Sequence, residues 1–424
     1  MKNRHIWHGA LVKRMTICVF IGFSSGLPLF VLLNLLQAWL ARSGLDIKAL
    51  GLFALVMFPY TWKFLWSPLM DRFNLCGMGR RRGWMAISQL ALLVSIGVMG
   101  MLDPLAHLPA IGALTTLVAF LSSSQDIAID AYRRELLPDV EQGLGSAVHV
   151  NAYRIAGLIP GSLSLILADM LSWQSVFWIT SFFMLPGLVC TLLIREPDVY
   201  GSPPRSIREA VILPFSEFIF RSGWKNALLI LSFIFLYKLG DSLATALATK
   251  FYLDVGFSMT QIGIIAKTTG LWASLAGGLL GGIWMIRIGI NRSLWLYGVV
   301  QAVSILGFSL LSLWGADPVM LALVIGFEAL GVGLGTAAFV AYIAHMTDKR
   351  FSATQFALFT SLAAVPRTFI NASAGYIVDY TGWFMFFNLC FVLALPGMVL
   401  LLKVAPWHRT SNDTFALEAG RERT

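Results

Sequence analysis

The residues of this sequence with the strongest chemical signal are charged side chains inside long apolar runs. Asp126 and Asp130 lie one helical turn apart in the stretch SSSQDIAIDAYRRELL (122–137), which follows the apolar run ALTTLVAFL (113–121). A charge inside a membrane is costly unless it is paired or faces water. Such residues therefore often mark a path for protons, ions or a charged solute.

Acidic and basic residues are nearly balanced inside the apolar segments. The near-balance predicts that many of these charges pair with one another. The set comprises Lys63, Asp126, Asp130, Arg154, Lys238, Asp241, Lys267, Glu328 and Arg367.

The two aspartates of the 122–137 stretch need not share one role. At 100° per residue they lie on one helix face with Arg133. Two nearby carboxylates repel each other, and a site without water would keep one of them protonated, as proton coupling requires. We predict proton coupling or substrate binding for Asp126, with structural pairing as the alternative. Asp130 is a further proton-coupling candidate, and its alternative is an ion pair with Arg133 or Arg134 in a cytoplasmic gate.

Two other acidic residues are candidates for proton coupling. Asp241 follows Lys238 at a spacing of three residues, which allows an ion pair within one helix. The functional alternative is a switch in which protonation of Asp241 frees Lys238 for an anionic substrate. Glu328 is either a second proton site or a structural partner of Arg367 or Lys238.

Basic and aromatic residues near the middle of apolar segments are candidates for binding an anionic substrate. The basic candidates are Arg154, Lys238, Lys267 and Arg367. Tyr153 and Tyr237 flank two of them and could stack on sugar rings, and the alternative for each is a packing role.

The elements that carry these residues must be membrane-spanning helices. Of the 424 residues, 57% are hydrophobic and 12% are charged, whereas soluble domains are about 25% charged. The apolar runs are continuous rather than alternating, and a span needs about 20 residues, so the runs indicate helices. We predict an all-α integral membrane protein with twelve spans. These are 15–41, 49–70, 84–102, 110–137, 145–170, 173–194, 225–253, 259–287, 293–314, 317–346, 352–380 and 383–403.

The basic residues of the loops predict the orientation of the chain. Most of them fall on the side of the N-terminus, and only Arg42, Lys48 and Lys250 fall on the opposite side. Since loops rich in Lys and Arg remain in the cytoplasm, both termini are expected there.

The chain is expected to consist of two similar halves. Trp173 and the later Leu185-Pro186-Gly187 recur 210 residues further on as Trp383 and Leu395-Pro396-Gly397. The longest connection lies between spans six and seven. We predict a six-helix bundle at 1–194, a linker with an amphipathic surface helix at 195–224, a second bundle at 225–405 and a cytoplasmic tail at 406–424.

The loop after span two carries a family signature. Its sequence SPLMDRFNLCGMGRRR (67–82) resembles the G-x-x-x-D-R-x-G-R-R loop of the major facilitator superfamily, with Ser67 in place of the first glycine. The resemblance implies twelve helices in two pseudo-symmetric halves and a latch on the cytoplasmic side. The alternative is that the arginines only set the orientation. The predicted gate comprises Asp71, Arg72, Arg80, Arg81, Arg133 and Arg134.

Further stretches resemble the AmpG family of muropeptide permeases within that superfamily. They are GFSSGLP (22–28), LQAW (36–39), KFLWSPLMDR (63–72), GRRRGW (79–84), SQDIAIDAYR (124–133), YKLGD (237–241), Lys267-Thr268 and FSATQFAL (351–358). The resemblance implies a proton symporter of the bacterial inner membrane that works by alternating access. It would import N-acetylglucosaminyl-1,6-anhydro-N-acetylmuramyl peptides from periplasm to cytoplasm for peptidoglycan recycling. AmpG-like proteins also include siderophore importers, so a siderophore or another anionic metabolite is the alternative substrate.

Other functional classes fit the sequence less well. It has no Walker loop, no G-x-S-x-G and no metal-ligand cluster, which argues against an enzyme, an ATP-driven pump and a metal site. The charge of +9 lies in short loops, where orientation accounts for it, and does not indicate nucleic-acid binding. A receptor or scaffold would gain nothing from buried acids. We expect a monomer in the lipid bilayer that uses the proton gradient and no cofactor.

Overall fold

The computed structural model consists of α-helices joined by short turns. It describes residues 2–44, 57–197, 204, 206–369 and 373–408, without the side chains of 2–8, 259, 267 and 366–369. These described residues contain no β-strand. The predicted all-α fold class is confirmed.

The helices follow one another along the chain with few long connections. Up to the linker they are α1 (Lys2–Phe30), α2 (Leu36–Arg42), α3 (Phe58–Trp62), α4 (Ser67–Arg72), α5 (Arg82–Met99), α6 (Leu108–Leu136), α7 (Gln142–Ala156), α8 (Ser164–Leu167), α9 (Trp173–Phe182) and α10 (Leu185–Leu193). From the linker onward they are α11 (Ile207–Ser222), α12 (Trp224–Leu236), α13 (Leu239–Ala246), α14 (Ala248–Val255), α15 (Met259–Gln261), α16 (Lys267–Trp314), α17 (Pro318–Met346), α18 (Ser352–Phe369) and α19 (Ala374–Val404). Turns of π-helix lie at Val31–Leu35, Ile159–Leu163 and Ile262–Ala266, and turns of 3-10 helix at Lys63–Leu65, Asp139–Glu141 and Lys349–Phe351.

Nine helical segments of the described residues are long and apolar enough to cross a membrane. One of them, Ile262–Trp314, has 53 residues, which is about 80 Å of helix against a hydrocarbon core of about 30 Å. It breaks at Gly289, whose φ of 79° is not helical. A second segment, Ala374–Val404, breaks at Gly382, with a φ of 75°. Glycine tolerates this backbone geometry because it has no Cβ. Both breaks fall in predicted connections, after spans eight and eleven.

The count of twelve spans and the cytoplasmic termini stay predictions. Span two, predicted at 49–70, falls partly outside the described residues, as does span eleven at 370–372. Residues 198–203 and 205 of the linker and 409–424 of the tail also lie outside them.

Span seven, predicted as one helix over 225–253, is divided into α12, α13 and α14. The backbone leaves helical geometry at Lys238 (φ −100°, ψ 4°) and again at Leu247 (φ −118°, ψ 25°). The first break places Asp241 in the first turn of α13. The dipole of a helix favours a negative charge at its N-terminus. The division of the span therefore gives Asp241 a local electrostatic environment that a continuous helix would lack.

The helices pack into two compact units that do not follow the chain order strictly. The first unit comprises Met1–Pro138, Val148–Pro214 and Thr347–Ser361, and the second comprises Asp139–Ala147, Phe215–Met346 and Leu362–Thr424. The first unit thus includes the start of α18, and the second includes the start of α7. The bundle boundaries derived from the sequence stay a prediction.

Two glycines of α1 allow this helix to approach α7 closely within the first unit. A Cβ on Gly22 would overlap the backbone of His149, and a Cβ on Gly26 would overlap the backbone of Tyr153. Backbone atoms cannot rotate away as a side chain can. Close approach through small residues is how helices in lipid gain van der Waals contact.

The change Gly26→Ala is expected to destabilise the first unit by about 1–3 kcal/mol, because α1 and α7 must separate to admit the methyl group. The matched control is Gly112→Ala in α6, where an added Cβ meets no atom within 4 Å. That change should be neutral, or stabilising by up to about 1 kcal/mol. Thermal unfolding in detergent measures both variants. Equal melting temperatures would show that the two helices are not in contact at Gly26.

Candidate functional site

Asp126 lies in the middle of α6 and is held by side chains from other elements of the first unit. Ser25 Oγ on α1 donates a hydrogen bond of 2.5 Å to Asp126 Oδ1. Lys63, which follows α3 and is also buried, attracts the carboxylate, whereas Asp130 repels it. Asp126 thus has a hydroxyl within hydrogen-bond distance and a cation within electrostatic range. A carboxyl group in such a setting can hold either a proton or a compensated negative charge.

Uncharged polar side chains extend this site between α1, α5 and α6. Ser24 Oγ accepts hydrogen bonds from the side-chain amides of Gln89 and Gln125, at 3.1 and 3.0 Å. All three residues are buried. We did not select them from the sequence, although serine and glutamine within apolar runs are a signal that could have found them.

Asp130, one turn further along α6, has a different partner from Asp126. Its Oδ1 lies 3.0 Å from Nη2 of Arg133. The Arg133 guanidinium also lies over the ring of Phe356, 5.5 Å from its centroid. Arg134 Nε donates to the carbonyl oxygen of Thr347 at 3.1 Å. Of the roles considered for Asp130, this geometry matches the ion pair with Arg133.

Arg81, in the loop before α5, is the centre of a buried ion cluster. Its Nη2 lies 2.6 Å from Asp71 Oδ1 and 2.7 Å from Glu135 Oε1. The same nitrogen donates to Ser352 Oγ at 2.8 Å, and the Ser352 hydroxyl in turn donates to Glu135. The Arg81 side chain has no exposed surface. We call Asp71, Arg81, Glu135, Ser352 and Thr354 the Arg81 cluster.

Asp71 joins this cluster to the start of α18. Its Oδ2 accepts hydrogen bonds from the backbone N–H of Thr354 at 2.8 Å and from the Thr354 hydroxyl at 2.6 Å. Its Oδ1 accepts from the N–H of Ala353 at 3.3 Å. The first N–H groups of a helix have no partner within the helix, and a carboxylate there is also stabilised by the helix dipole. One carboxylate thus serves both the loop arginine and the N-terminus of α18, all within the first unit.

The adjacent arginines Arg80 and Arg81 experience different electrostatic environments. Burial alone would lower the pKa of Arg81, but Glu135 and Asp71 outweigh burial, so this pKa is raised. The pKa of Arg80 is lowered, first by burial and then by the charge of Arg81. Arg80 reaches the cluster at longer range, with Nη2 3.5 Å from Glu135 Oε1. Arg72 is not brought to the cluster, and its guanidinium lies over the ring of Phe73.

A reciprocal pair of caps fixes the loop that carries Arg81. Glu196 accepts hydrogen bonds from the backbone N–H groups of Arg81 and Arg82, at 2.7 and 3.0 Å, and so caps the start of α5. The Arg82 side chain donates to the carbonyl oxygens of Thr191 and Leu192 near the end of α10. We selected none of Glu135, Ser352, Thr354 and Glu196 from the sequence. Their partners lie far away in the chain, so no local pattern identifies them.

In the second unit, Lys238 lies between a carboxylate and a hydroxyl. Its Nζ is 3.7 Å from Asp241 Oδ2 and donates to Thr336 Oγ1 on α17 at 3.1 Å. The neighbouring Tyr237 hydroxyl donates to the carbonyl oxygen of Leu294, and its ring stacks on Phe339. The ion pair considered from the sequence is therefore present, at a distance longer than a hydrogen bond. Tyr237 makes packing contacts in this structure.

The remaining candidates are spread over both units. Glu328 is buried on α17. Tyr153, on α7, lies edge-on to Phe30 with ring centroids 5.7 Å apart, and Arg154 follows it. The side chains of Lys267 and Arg367 are outside the described part of the structure. Among the described residues, no group of three or more His, Cys, Asp and Glu side chains could hold a metal ion.

Comparison with known proteins places the chain in a family. Residues 15–240 match the family model of the Major Facilitator Superfamily. Over 391 residues the chain is 42% identical to the anhydromuropeptide permease of Escherichia coli, covering 92% of this chain and 79% of the relative. The chain belongs to the AmpG-like family of the major facilitator superfamily. This AmpG-like chain is also 47% identical to a protein of Haemophilus influenzae, over 95% of this chain and 97% of the relative.

A solved structure shows the same fold as the AmpG-like chain. The human organic anion transporter MFSD10 has a TM-score of 0.68 at 18% identity, covering 92% of this chain and 99% of that one. The family resemblance found in the sequence and the superfamily fold are confirmed. The AmpG-like chain is a multi-pass membrane transporter and not an enzyme.

Proposed function

We propose that this transporter imports anhydro-muropeptides from the periplasm to the cytoplasm for peptidoglycan recycling, driven by protons and without a bound cofactor. The observation that carries the proposal is the 42% identity to the anhydromuropeptide permease of Escherichia coli over 92% of the chain. We place the protein in a bacterial inner membrane as a monomer, with both termini in the cytoplasm. The peptide carboxylates of such a substrate need basic partners. The candidates are Arg154, Lys238, Lys267 and Arg367.

Asp126 is the proton-coupling site that we propose for the first unit. The hydrogen bond from Ser25 and the nearby charge of Lys63 support this role, because they compensate the carboxylate when it has lost its proton. A fully buried carboxylate without such partners would remain protonated and could not cycle. Asp130 is a weaker candidate, since Arg133 already holds it in an ion pair.

Asp241 is the corresponding candidate of the second unit. Protonation would remove the negative charge that lies 3.7 Å from Lys238, while Thr336 would still hold the ammonium group. Lys238 would then be available for a substrate carboxylate. Protonation and substrate binding would favour each other, as symport requires. Glu328 remains a further candidate on α17.

We propose that the Arg81 cluster is the part of the gate that holds the segment Thr347–Ser361 in place. Four predicted gate residues contact this segment directly, and three of them lie along its length: Asp71 caps α18, Arg133 lies over Phe356, and Arg134 binds the Thr347 carbonyl. Arg81 adds a hydrogen bond to Ser352. We propose that the segment leaves these partners when the cytoplasmic side opens.

Uptake into proteoliposomes tests the proposed function. With purified transporter and radiolabelled anhydro-muropeptide, an inward gradient of about one pH unit should drive accumulation, up to about tenfold for one proton per substrate. A protonophore should abolish the accumulation, and an unlabelled ferric siderophore should not compete. Uptake that ignores the gradient would contradict proton coupling. Uptake of a labelled ferric siderophore, with no uptake of muropeptide, would favour the alternative substrate.

A further inference from the structure

A small cavity lies beside Asp241 inside the second unit. Its volume is about 10 Å³, which is room for about one water molecule. Its polar lining residues are Tyr237, Asp241 and, from α16, Gln301. The remaining lining residues have no polar side chain. These are Gly298, Ala302, Ile305, Ala394 and Met398.

Gln301 contributes a buried hydrogen-bond donor that has no partner among the described residues. Its side chain is 4% exposed, and the amide Nε2 has no partner within hydrogen-bond distance. An unpaired buried donor is costly, and buried polar groups without a protein partner commonly bind an ordered water. Asp241, which lines the same cavity, is 3.7 Å from Lys238, beyond hydrogen-bond length, so its carboxylate can accept further hydrogen bonds.

We propose that one water molecule occupies this cavity, accepts a hydrogen bond from Gln301 and donates one to Asp241. Gln301 is then a positioning residue for the carboxylate, and the expected effect of this water on proton-driven uptake rests on the coupling role proposed above for Asp241. A metal cation fits less well, because hard cations take several oxygen ligands. The unpaired atom of Gln301 is a nitrogen donor, and the Tyr237 hydroxyl donates its hydrogen to the Leu294 carbonyl.

Within the described part of the structure, two titratable groups interact with Asp241, and both lie on its own segment. They are Lys238 at 3.7 Å and Tyr237, which shares the cavity. The residues that α16 and α19 contribute to the cavity do not titrate. If removal of the Gln301 amide changes the pH dependence of proton-driven uptake, the change would therefore be attributable to Asp241 or to its immediate partner Lys238.

Gln301→Leu is the variant that tests the water site. It removes the donor at similar volume, so the charged form of Asp241 loses a water-mediated hydrogen bond. The pH at which proton-driven uptake is half-maximal should move upward by about half to one unit. Ala302→Val, which fills the cavity but keeps Gln301, should move it in the same direction. The control is Ser304→Ala, since Ser304 bonds the Gln301 backbone carbonyl and does not line the cavity.

Infrared difference spectroscopy separates this inference from the proposed function. The carboxyl bands of Asp241 are identified by their loss in Asp241→Asn, and they should shift in Gln301→Leu and Ala302→Val but not in Ser304→Ala. Unchanged bands in both cavity variants would overturn the water site, whatever the transport results. Proton-driven uptake that survives Asp241→Asn would overturn the coupling role, and shifted bands would still support the water. If Gln301→Leu does not fold, Ala302→Val supplies the same measurements.

Discussion

Replacing Arg81 by alanine is expected to destabilise the protein by about 3–5 kcal/mol. The change leaves Asp71 and Glu135 buried without their shared cation, and removing one member of a buried ion pair has costs of this size. It also removes the donor to Ser352 at the start of α18. Thermal unfolding in detergent should show a fall in Tm on the order of 10 °C.

Three variants identify the cause of that loss. Arg72→Ala is the matched control, because Arg72 belongs to the same signature stretch (67–82) but lies over Phe73, and it should cost less than about 1 kcal/mol. Arg81→Lys keeps the charge but loses the planar fork of donors, so it should give an intermediate result. Arg81→Met combined with Asp71→Asn should be less damaging than Arg81→Met alone, because it removes the carboxylate that has lost its ion pair. Glu135, in contrast, keeps Arg80 at 3.5 Å. If Arg72→Ala were as damaging as Arg81→Ala, the buried pair would not be the cause.

The architecture could be predicted from the sequence because membrane helices leave a local signal. Continuous apolar runs identified the helices, and the connections after spans eight and eleven contain the glycines at which the long helical segments break. The pairing of Asp71 with Arg81 could be anticipated as well, because both lie in one short loop that resembles a superfamily signature. In each case the interacting residues are close in the chain.

The partners of the site residues could not be predicted, because they depend on how helices rotate and pack. Ser352 is 271 residues from Arg81 in the chain, and Ser25 is 101 residues from Asp126. The Lys63 that accompanies Asp126 was recognised as an intramembrane charge but was not assigned to a partner. A helical pattern shows which residues share a face, whereas the neighbour of that face is set by tertiary structure.

Span seven shows a different limit of sequence reasoning. Its residues are apolar enough for one helix, and neither proline nor an adjacent glycine pair marks the break at Lys238. In the structure the non-helical Lys238 lets α13 begin two residues before Asp241. The break thus lies at Lys238 and close to Asp241, both candidate functional residues of this span. At such sites the intrinsic helix propensity is a weak guide to the backbone conformation.

Asp126→Asn is expected to abolish proton-driven accumulation while leaving exchange intact. The amide has nearly the same shape, and its oxygen can still accept the hydrogen bond from Ser25. It cannot bind or release a proton in the transport cycle, and Lys63 is left without the charge that it faces. In proteoliposomes with an inward gradient of about one pH unit, the accumulation ratio should fall from up to about tenfold to about one. Exchange of internal for external substrate needs no net proton movement and should continue.

Asp130→Asn is the control that tells loss of a negative charge on this helix face from loss of the proposed proton site. It removes the ion pair with Arg133 one turn from Asp126, so it changes the local electrostatics without touching the proposed coupling group. Accumulation should persist in this variant. It should also persist in Ser25→Ala, but with an altered pH dependence, because the charged form of Asp126 loses a hydrogen-bond donor. Accumulation that persists in Asp126→Asn would move the coupling site elsewhere, and Asp241 and Glu328 would then be the proposed coupling candidates left to test. Loss of both accumulation and exchange in Asp126→Asn would instead assign Asp126 to substrate binding, the other role considered for it.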